Sequence, residues 1–157
     1  MSRSPALIVF EGLDGAGTST QIRKLRDYLT SRDVPVEVTR EPTNGPFGKE
    51  MRIVIDERVI VDPVSTALAF AADRSDHLFN QHNGIEKALA SGRTMICDRY
   101  ILSNIAYQSE DVRGCMARTD RTATKHDAYE WLRTINRFVK TPDLTVFGLP
   151  PILCRLS

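Results

Sequence analysis

ALIVFEGLDGAGTSTQ, residues 6–21, decides how this chain is read. Its opening run, Ala6-Leu7-Ile8-Val9-Phe10, has the length and the β-forming side chains of one buried strand. Gly12, Gly15 and Gly17 follow, and then Thr18, Ser19 and Thr20 begin a polar, amphipathic helical pattern. A strand, a glycine-rich turn and a helix start make a phosphate cradle. The glycines let backbone N–H groups approach an anion, and the helix N-terminus adds unpaired donors and the positive end of its dipole. The spacing fits G-x-x-x-x-G-K-[ST], with Gly12 first, Gly17 second and Ser19 as the hydroxyl on the magnesium side. One position departs: Thr18 stands where a lysine would reach the β- and γ-phosphates, although a threonine can still donate a hydrogen bond there. These residues read as a nucleotide-phosphate site without its lysine. The competing reading is a strand-to-helix turn that binds nothing, and the order of strand, spacing, hydroxyls and helix stands against it.

The length of 157 residues suggests one domain. A formal net charge of +1 gives no bulk attraction to nucleic acid or to a membrane surface. No apolar run approaches the ~20 residues needed to cross a bilayer. The apolar run near the N-terminus is too short for a secretory signal and leads straight into the glycine turn. Cys97, Cys115 and Cys154 are far apart and form no CxxC pair, the pattern of reduced thiols in a cytosolic protein. There is no internal repeat and no low-complexity segment.

Outward from the turn, Thr18 to Arg32 is predicted as a helix with Ile22, Leu25 and Leu29 on one stripe. Val34 to Thr39 reads as a second strand, running into the turn-rich loop Arg40-Glu41-Pro42-Thr43-Asn44-Gly45. Arg40 and Glu41 then lie at the carboxyl end of a strand, where α/β sheets bind ligands, and they read equally well as a solvated charged loop. A helix is expected within residues 48–61, and a long one from Pro63 to Ala90 with Asp62 as its N-cap. Phe70 and Arg74 share a face of it, which by itself fits a core aromatic beside a surface ion-pair partner. Thr94 to Cys97 is a further strand, ending in Asp98-Arg99-Tyr100. An aspartate at that point downstream of a P-loop is the Walker-B arrangement; Asp98 would hold magnesium and Arg99 is placed for a phosphate, the alternative being a strand-end ion pair. Ser103 to Gln108 is predicted helical, with Asn104 and Gln108 one turn apart, as are Ser103 and Tyr107, a pattern that a solvated polar face also produces. Residues 110–125 lack periodicity and are expected to form a loop. Asp127 to Lys140 reads as an amphipathic helix and Asp143 to Phe147 as the last strand. Strands alternating with helices give an α/β fold with a parallel sheet.

Together these segments resemble the thymidylate kinase family. The matching pieces are FEGLDGAGTSTQ, REP at Arg40 to Pro42, FAADR at Phe70 to Arg74, DRYILSNIAYQ at Asp98 to Gln108, WLRTINRF and PDLTVF, in the family's order across essentially the whole chain. The combination of REP, FAADR and DRYxxSNxAYQ is far more specific than a P-loop. The resemblance implies a P-loop NTPase-type three-layer sandwich, with residues 1–157 as a single nucleoside monophosphate kinase-like domain. It implies transfer of a phosphoryl group from ATP, with Mg2+, to dTMP. Gly12, Gly15, Ala16, Gly17, Thr18, Ser19 and Thr20 would bind ATP, Ser19 and Asp98 would attend the metal, and Asp14, Asp98 and Arg99 would serve catalysis. Asp14 would contact the deoxyribose 3′-hydroxyl or the acceptor phosphate region, and Arg40 and Arg99 would hold the dTMP phosphate. Phe70 would stack on thymine, Arg74 would hydrogen-bond a base carbonyl and Asn104 would meet the ring edge. Tyr107 would crowd the sugar 2′ position and so favour deoxyribose, with Gln108 lining the same pocket. A cytoplasmic enzyme without nucleic-acid or membrane partners follows, forming homodimers through helices as family members commonly do.

Two departures bear on catalysis. Thr18 replaces the lysine. Family members also continue past the PDLT strand through a Leu-Asp-Val-Pro-Pro stretch into an arginine-bearing lid and a final strand and helix. Here the stretch is Phe147-Gly148-Leu149-Pro150-Pro151 and the sequence stops at Ser157, so a sheet without its last strand and lid is expected, with one edge uncovered. Gly15 occupies the P-loop position at which lid-independent members carry arginine. Phosphoryl transfer is mostly positioning and charge stabilisation, and a supplied arginine is worth ~10³-fold or more. The expectation is therefore a nearly complete dTMP pocket with an impaired ATP side, the alternative being an inactive, truncated nucleotide-binding protein. Arg118, Arg121 and Lys125 precede the last strand and are poorly placed to substitute. A kinase for another pyrimidine is disfavoured by Phe70, Arg74 and Asn104.

Overall fold

The computed structural model describes residues 4–56 and 59–149. Its strands are β1 (Leu7–Gly12), β2 (Val36–Arg40), β3 (Thr94–Asp98) and β4 (Leu144–Gly148). They form one parallel sheet in the order β2-β3-β1-β4, so the P-loop strand is internal. The register sets Val9 beside Cys97, Arg40 beside Asp98 and Gly12 beside Gly148. The helices are α1 (Thr18–Thr30), α2 (Pro46–Asp56), α3 (Pro63–Phe79), α4 (Ile85–Ala90), α5 (Ile101–Met116) and α6 (Lys125–Ile135).

Alternation along β1 and β3 divides their side chains between two apolar layers. Phe10 and Ile96 pack with Ile22 of α1 on one face, joined by Leu25 and Leu29. Leu7, Val9, Met95 and Cys97 pack with Leu78, Ile85, Ala88 and Tyr100 on the other. A third cluster, Ala67, Ile105, Val112, Ala128 and Leu132, ties α3, α5 and α6 together. The result is the expected three-layer α/β sandwich. Among the described residues no strand follows β4, which with β2 forms the edges of the sheet. Pro150, Pro151 and Cys154 lie outside the described residues. No helix among those described is long and apolar enough to cross a membrane.

Three boundaries differ from expectation. The segment read as a loop from residue 110 continues α5 to Met116, because Val112 is fully buried against α3 and α6. Glu110 pairs with Arg113 one turn on and with Lys125 at the start of α6, and this run of charge hides the helical period. The long helix breaks after Phe79: Asn80 takes an extended ψ of 126° and α4 begins only at Ile85. The sixth helix ends at Ile135, although Phe138 and Val139 beyond it still pack into the sheet. Asp62 caps α3 as read, accepting from the Val64 N–H at 2.9 Å.

Gly12 fixes how closely β1 and β4 approach. Its φ is 154°, and a Cβ added there would sit 2.5 Å from the Gly148 carbonyl oxygen. Gly12→Ala is expected to destabilise the fold by about 2 kcal/mol, from overpacking and backbone strain. A urea melt reads this directly; an unchanged midpoint would contradict the pairing of Gly12 with Gly148.

Candidate active site

Helix α1 starts from Gly17, whose φ of 76° is left-handed, with no side-chain cap and no acidic residue in its first turn. Its orphan N–H groups and positive dipole end are thus left for an anion. Gly15 has φ 80°, and nothing lies within 4 Å of a Cβ built on either glycine. The turn is an open backbone cradle of the kind a phosphate requires.

It opens on a cavity of about 810 Å³. The cavity is lined by Asp14, Gly15, Gly17, Thr18, Ser19 and Thr20 of the turn and start of α1, by Arg40, Asp98 and Arg99 at the carboxyl ends of β2 and β3, and by Phe70 and Arg74 of α3 and Asn104, Tyr107 and Gln108 of α5. The residues singled out in the sequence therefore meet in one place, with two exceptions. Gly12 is pressed against Gly148, and Ala16 stands behind the loop with its Cβ 3.2 Å from where a Gly148 Cβ would be. Both support the turn from outside the cavity.

In the middle of the site Arg99 has φ 68°, a conformation that costs a non-glycine residue of order 1 kcal/mol and is found at sites where the surrounding structure enforces it. Its Nη2 donates to Asp14 Oδ1 at 2.5 Å and its guanidinium lies 5.8 Å from the Tyr107 ring. Burial holds the half-buried Asp98 carboxyl above the usual carboxylate range, against the pull of Arg99 and Arg40.

The base of the cavity is a buried polar network. Arg74, read from its spacing as a surface ion-pair partner, is 1% exposed. Its Nε donates to Glu41 Oε2 at 2.8 Å, and Nη2 stands 2.7 Å from the same oxygen. Nη1 donates to Asn136 and Asn104, and Nη2 also to the Tyr100 carbonyl. Glu41 Oε1 lies 3.1 Å from His77 Nδ1, whose other ring nitrogen meets Thr39 Oγ1 at 2.7 Å. Glu41 is thus no solvated loop charge. Asp73 holds the same loop by accepting from the Thr43 N–H and hydroxyl.

Glu41, His77 and Cys97 have ligand atoms within 4.8 Å of one another, a trio that invites a metal. The chemistry is against it. Both Glu41 oxygens are already engaged by Arg74 and His77, and the buried Cys97 thiol donates to the Arg99 carbonyl at 3.1 Å. The three side chains are instead bonded within the protein.

Sequence reasoning missed Glu11, Asn136 and Arg52. Glu11 is 1% exposed; its carboxylate accepts from Leu102 N at 3.0 Å, Ser103 N at 3.2 Å and the Ser103 hydroxyl. It satisfies the first-turn donors of α5 and ties that helix to the P-loop strand. An acid beside an apolar strand was its only signal. Arg52 lines the cavity from α2 while bonding Asn44 and the Pro42 carbonyl.

A parallel sheet, a glycine turn opening a helix and an aspartate ending the adjacent strand together define a P-loop nucleotide-binding protein. The family model described as Thymidylate kinase matches residues 10–151, and the chain belongs to the thymidylate kinase family. It is 39% identical over 153 residues to the thymidylate kinase of Desulfotalea psychrophila, covering 97% of this chain and 67% of that protein. It is similar to the structure of thymidylate kinase from Candida albicans, with a TM-score of 0.73 at 28% identity over 92% of this chain and 63% of that one. For the Ehrlichia chaffeensis thymidylate kinase structure the TM-score is 0.70 at 27% identity, over 93% and 73%. The chain spans between 52% and 67% of the length of the first three curated relatives it matches.

Removing one member of a buried pair leaves the other charge uncompensated, at a cost of about 3 kcal/mol or more. Glu41→Ala is expected to lose that much in denaturant titration. Asp27→Ala, which breaks the exposed Arg26–Asp27 pair, loses less than about 0.5 kcal/mol. Equal losses would contradict the buried network. In the native protein iodoacetamide should modify the half-buried Cys115 and spare Cys97, and labelling of Cys97 at the same rate would contradict its burial.

Proposed function

We propose that this chain binds dTMP against Phe70, Arg74 and Asn104 in this cavity and ATP phosphates on the glycine turn, and that its activity is phosphorylation of dTMP to dTDP. One observation carries the reading: a single cavity of about 810 Å³ joins the P-loop to Phe70, Arg74 and Asn104. Its volume suits one nucleotide and the phosphates of another.

In this reading Phe70 gives an aromatic face to thymine, and the Arg74 donors favour a base carbonyl over an amino group. Tyr107 stands at the sugar and excludes a 2′-hydroxyl, and Gln108 closes the same wall. Arg40 and Arg99 hold the acceptor phosphate between β2 and β3, and Asp14 orients Arg99 and reaches toward the sugar. A phosphate monoester is largely a dianion at neutral pH, so the acceptor oxygen is already a nucleophile and no side chain has to remove its proton. The protein's work is alignment and charge stabilisation. The half-buried Asp98 carboxylate and the Ser19 hydroxyl are a hard-oxygen pair that fits Mg2+, which when bound would neutralise phosphate charge. A reduced, cytoplasmic setting agrees with the buried free thiol of Cys97. Homodimers would form over the exposed apolar side chains Phe47, Ile53 and Leu68 of α2 and α3.

A second reading, nucleotide binding without turnover, is favoured by Thr18. The cations that line the cavity among the described residues are Arg40, Arg52, Arg74 and Arg99, and none comes from the glycine turn. Calorimetry with dTMP and ATP separately, together with dTMP-dependent ADP release, tests both. The kinase reading expects dTMP binding and slow but dTMP-dependent release; absence of dTMP binding would overturn it, and binding without any release would favour the second. Thr18→Lys is expected to raise ADP release at least about tenfold by restoring a phosphate-reaching charge. No gain would mean that the ATP side is limited elsewhere.

A further inference from the structure

The WLRTINRF segment matched the family without contributing a residue to the cavity. Asn136 lies in it, one residue past the end of α6, and it is 2% exposed. It lines a second cavity of about 600 Å³ on the α6 side, which contains no residue of the glycine turn. Its amide nevertheless meets Arg74 and Asn104, which line the first cavity.

The guanidinium of Arg74 has five N–H groups, and each has a protein partner. The strong contacts are Glu41 Oε2 at 2.8 and 2.7 Å and Asn136 Oδ1 at 2.6 Å. The long contacts are Asn104 Oδ1 at 3.3 Å and the Tyr100 carbonyl at 3.4 Å, and both of those residues line the first cavity. Bonds of that length are weak. They are the ones a ligand carbonyl can displace, while Glu41 and Asn136 clamp the opposite sides of the plane. An arginine stem is long and flexible, and its fork selects a partner only if the plane is held.

Asn136 itself is held in one orientation. Its Nδ2 donates to the Leu132 carbonyl at 2.8 Å, so its Oδ1 is the atom turned to Arg74. The same Nδ2 lies 3.4 Å from Asn104 Oδ1, and Asn104 Nδ2 donates to Gln108 Oε1 at 2.7 Å. Asn136 therefore holds the Arg74 plane on the edge opposite Glu41 and adds a long contact to Asn104, so one buried amide touches both polar groups.

We propose that Asn136 is a positioning residue for base selection, acting through Arg74 and Asn104. The proposal rests on the reading of the cavity as a dTMP pocket. Thymine presents a carbonyl where cytosine presents an amino group, so a fixed donor fork distinguishes them and a loose one does so less.

The test is calorimetric titration of the whole chain and its Asn136→Leu and Asn136→Ser variants with dTMP and with dCMP. Leucine removes the amide at similar volume. Serine is too short to reach Arg74 and keeps the site polar, and it decides the matter if the leucine variant does not fold. The expected result is that the preference for dTMP over dCMP falls about tenfold, chiefly through weaker dTMP binding. An unchanged preference overturns the proposal, whether both affinities hold or both fall together, since a merely structural role would lower them alike. If the unaltered chain binds no dTMP, the functional reading itself has failed; if it binds dTMP and both variants keep its preference, only the role of Asn136 has failed.

Discussion

A guanidinium cannot be taken out of water without partners for its charge and its donors. Arg74 is 1% exposed, and that constraint shapes one half of this molecule. Glu41 must come from the loop after β2, Asn104 and the Tyr100 carbonyl from the start of α5, and Asn136 from the end of α6. Three segments distant in sequence converge on one side chain of α3. Breaking a pair of this kind costs several kcal/mol, whereas the pair itself adds little net stability. What the network supplies is a definite arrangement of polar groups at the floor of the cavity.

The other half is organised by backbone. Gly12 lets β4 close on β1, and left-handed Gly15 and Gly17 expose the turn. Glu11 couples the halves: its carboxylate satisfies the first N–H groups of α5, so the strand that carries the P-loop also positions the helix that carries Asn104, Tyr107 and Gln108. Arg99, held by Asp14 and strained at φ 68°, bridges the same junction nearer the solvent. In the proposed reaction this places the acceptor phosphate between the two halves.

Most of this plan was legible in the sequence where the signal was local. The run Ala6 to Phe10, the spaced glycines, the strand ending in Asp98 and the cap at Asp62 each carry their structure in a few adjacent residues. The reading failed where long-range burial decided. Val112 makes residues 110–116 helical by packing on α3 and α6, and charges that pair within a turn had masked the period. Arg74 looked like a surface residue because its partners lie 33 residues before it and up to 62 after it. Asn136 and Glu11 escaped for the same reason: what each bonds is set by topology, not by the residues beside it.

A crystal structure of the chain with dTMP bears most directly on whether the Arg74 network frames a nucleotide pocket beside the P-loop. Thymine should lie on Phe70, the phosphate between Arg40 and Arg99, and Arg74 should still meet Glu41 and Asn136 while exchanging its contacts to Tyr100 and Asn104 for the base. Nucleotide in the α6-side cavity, or Arg74 drawn away from Glu41, would contradict it.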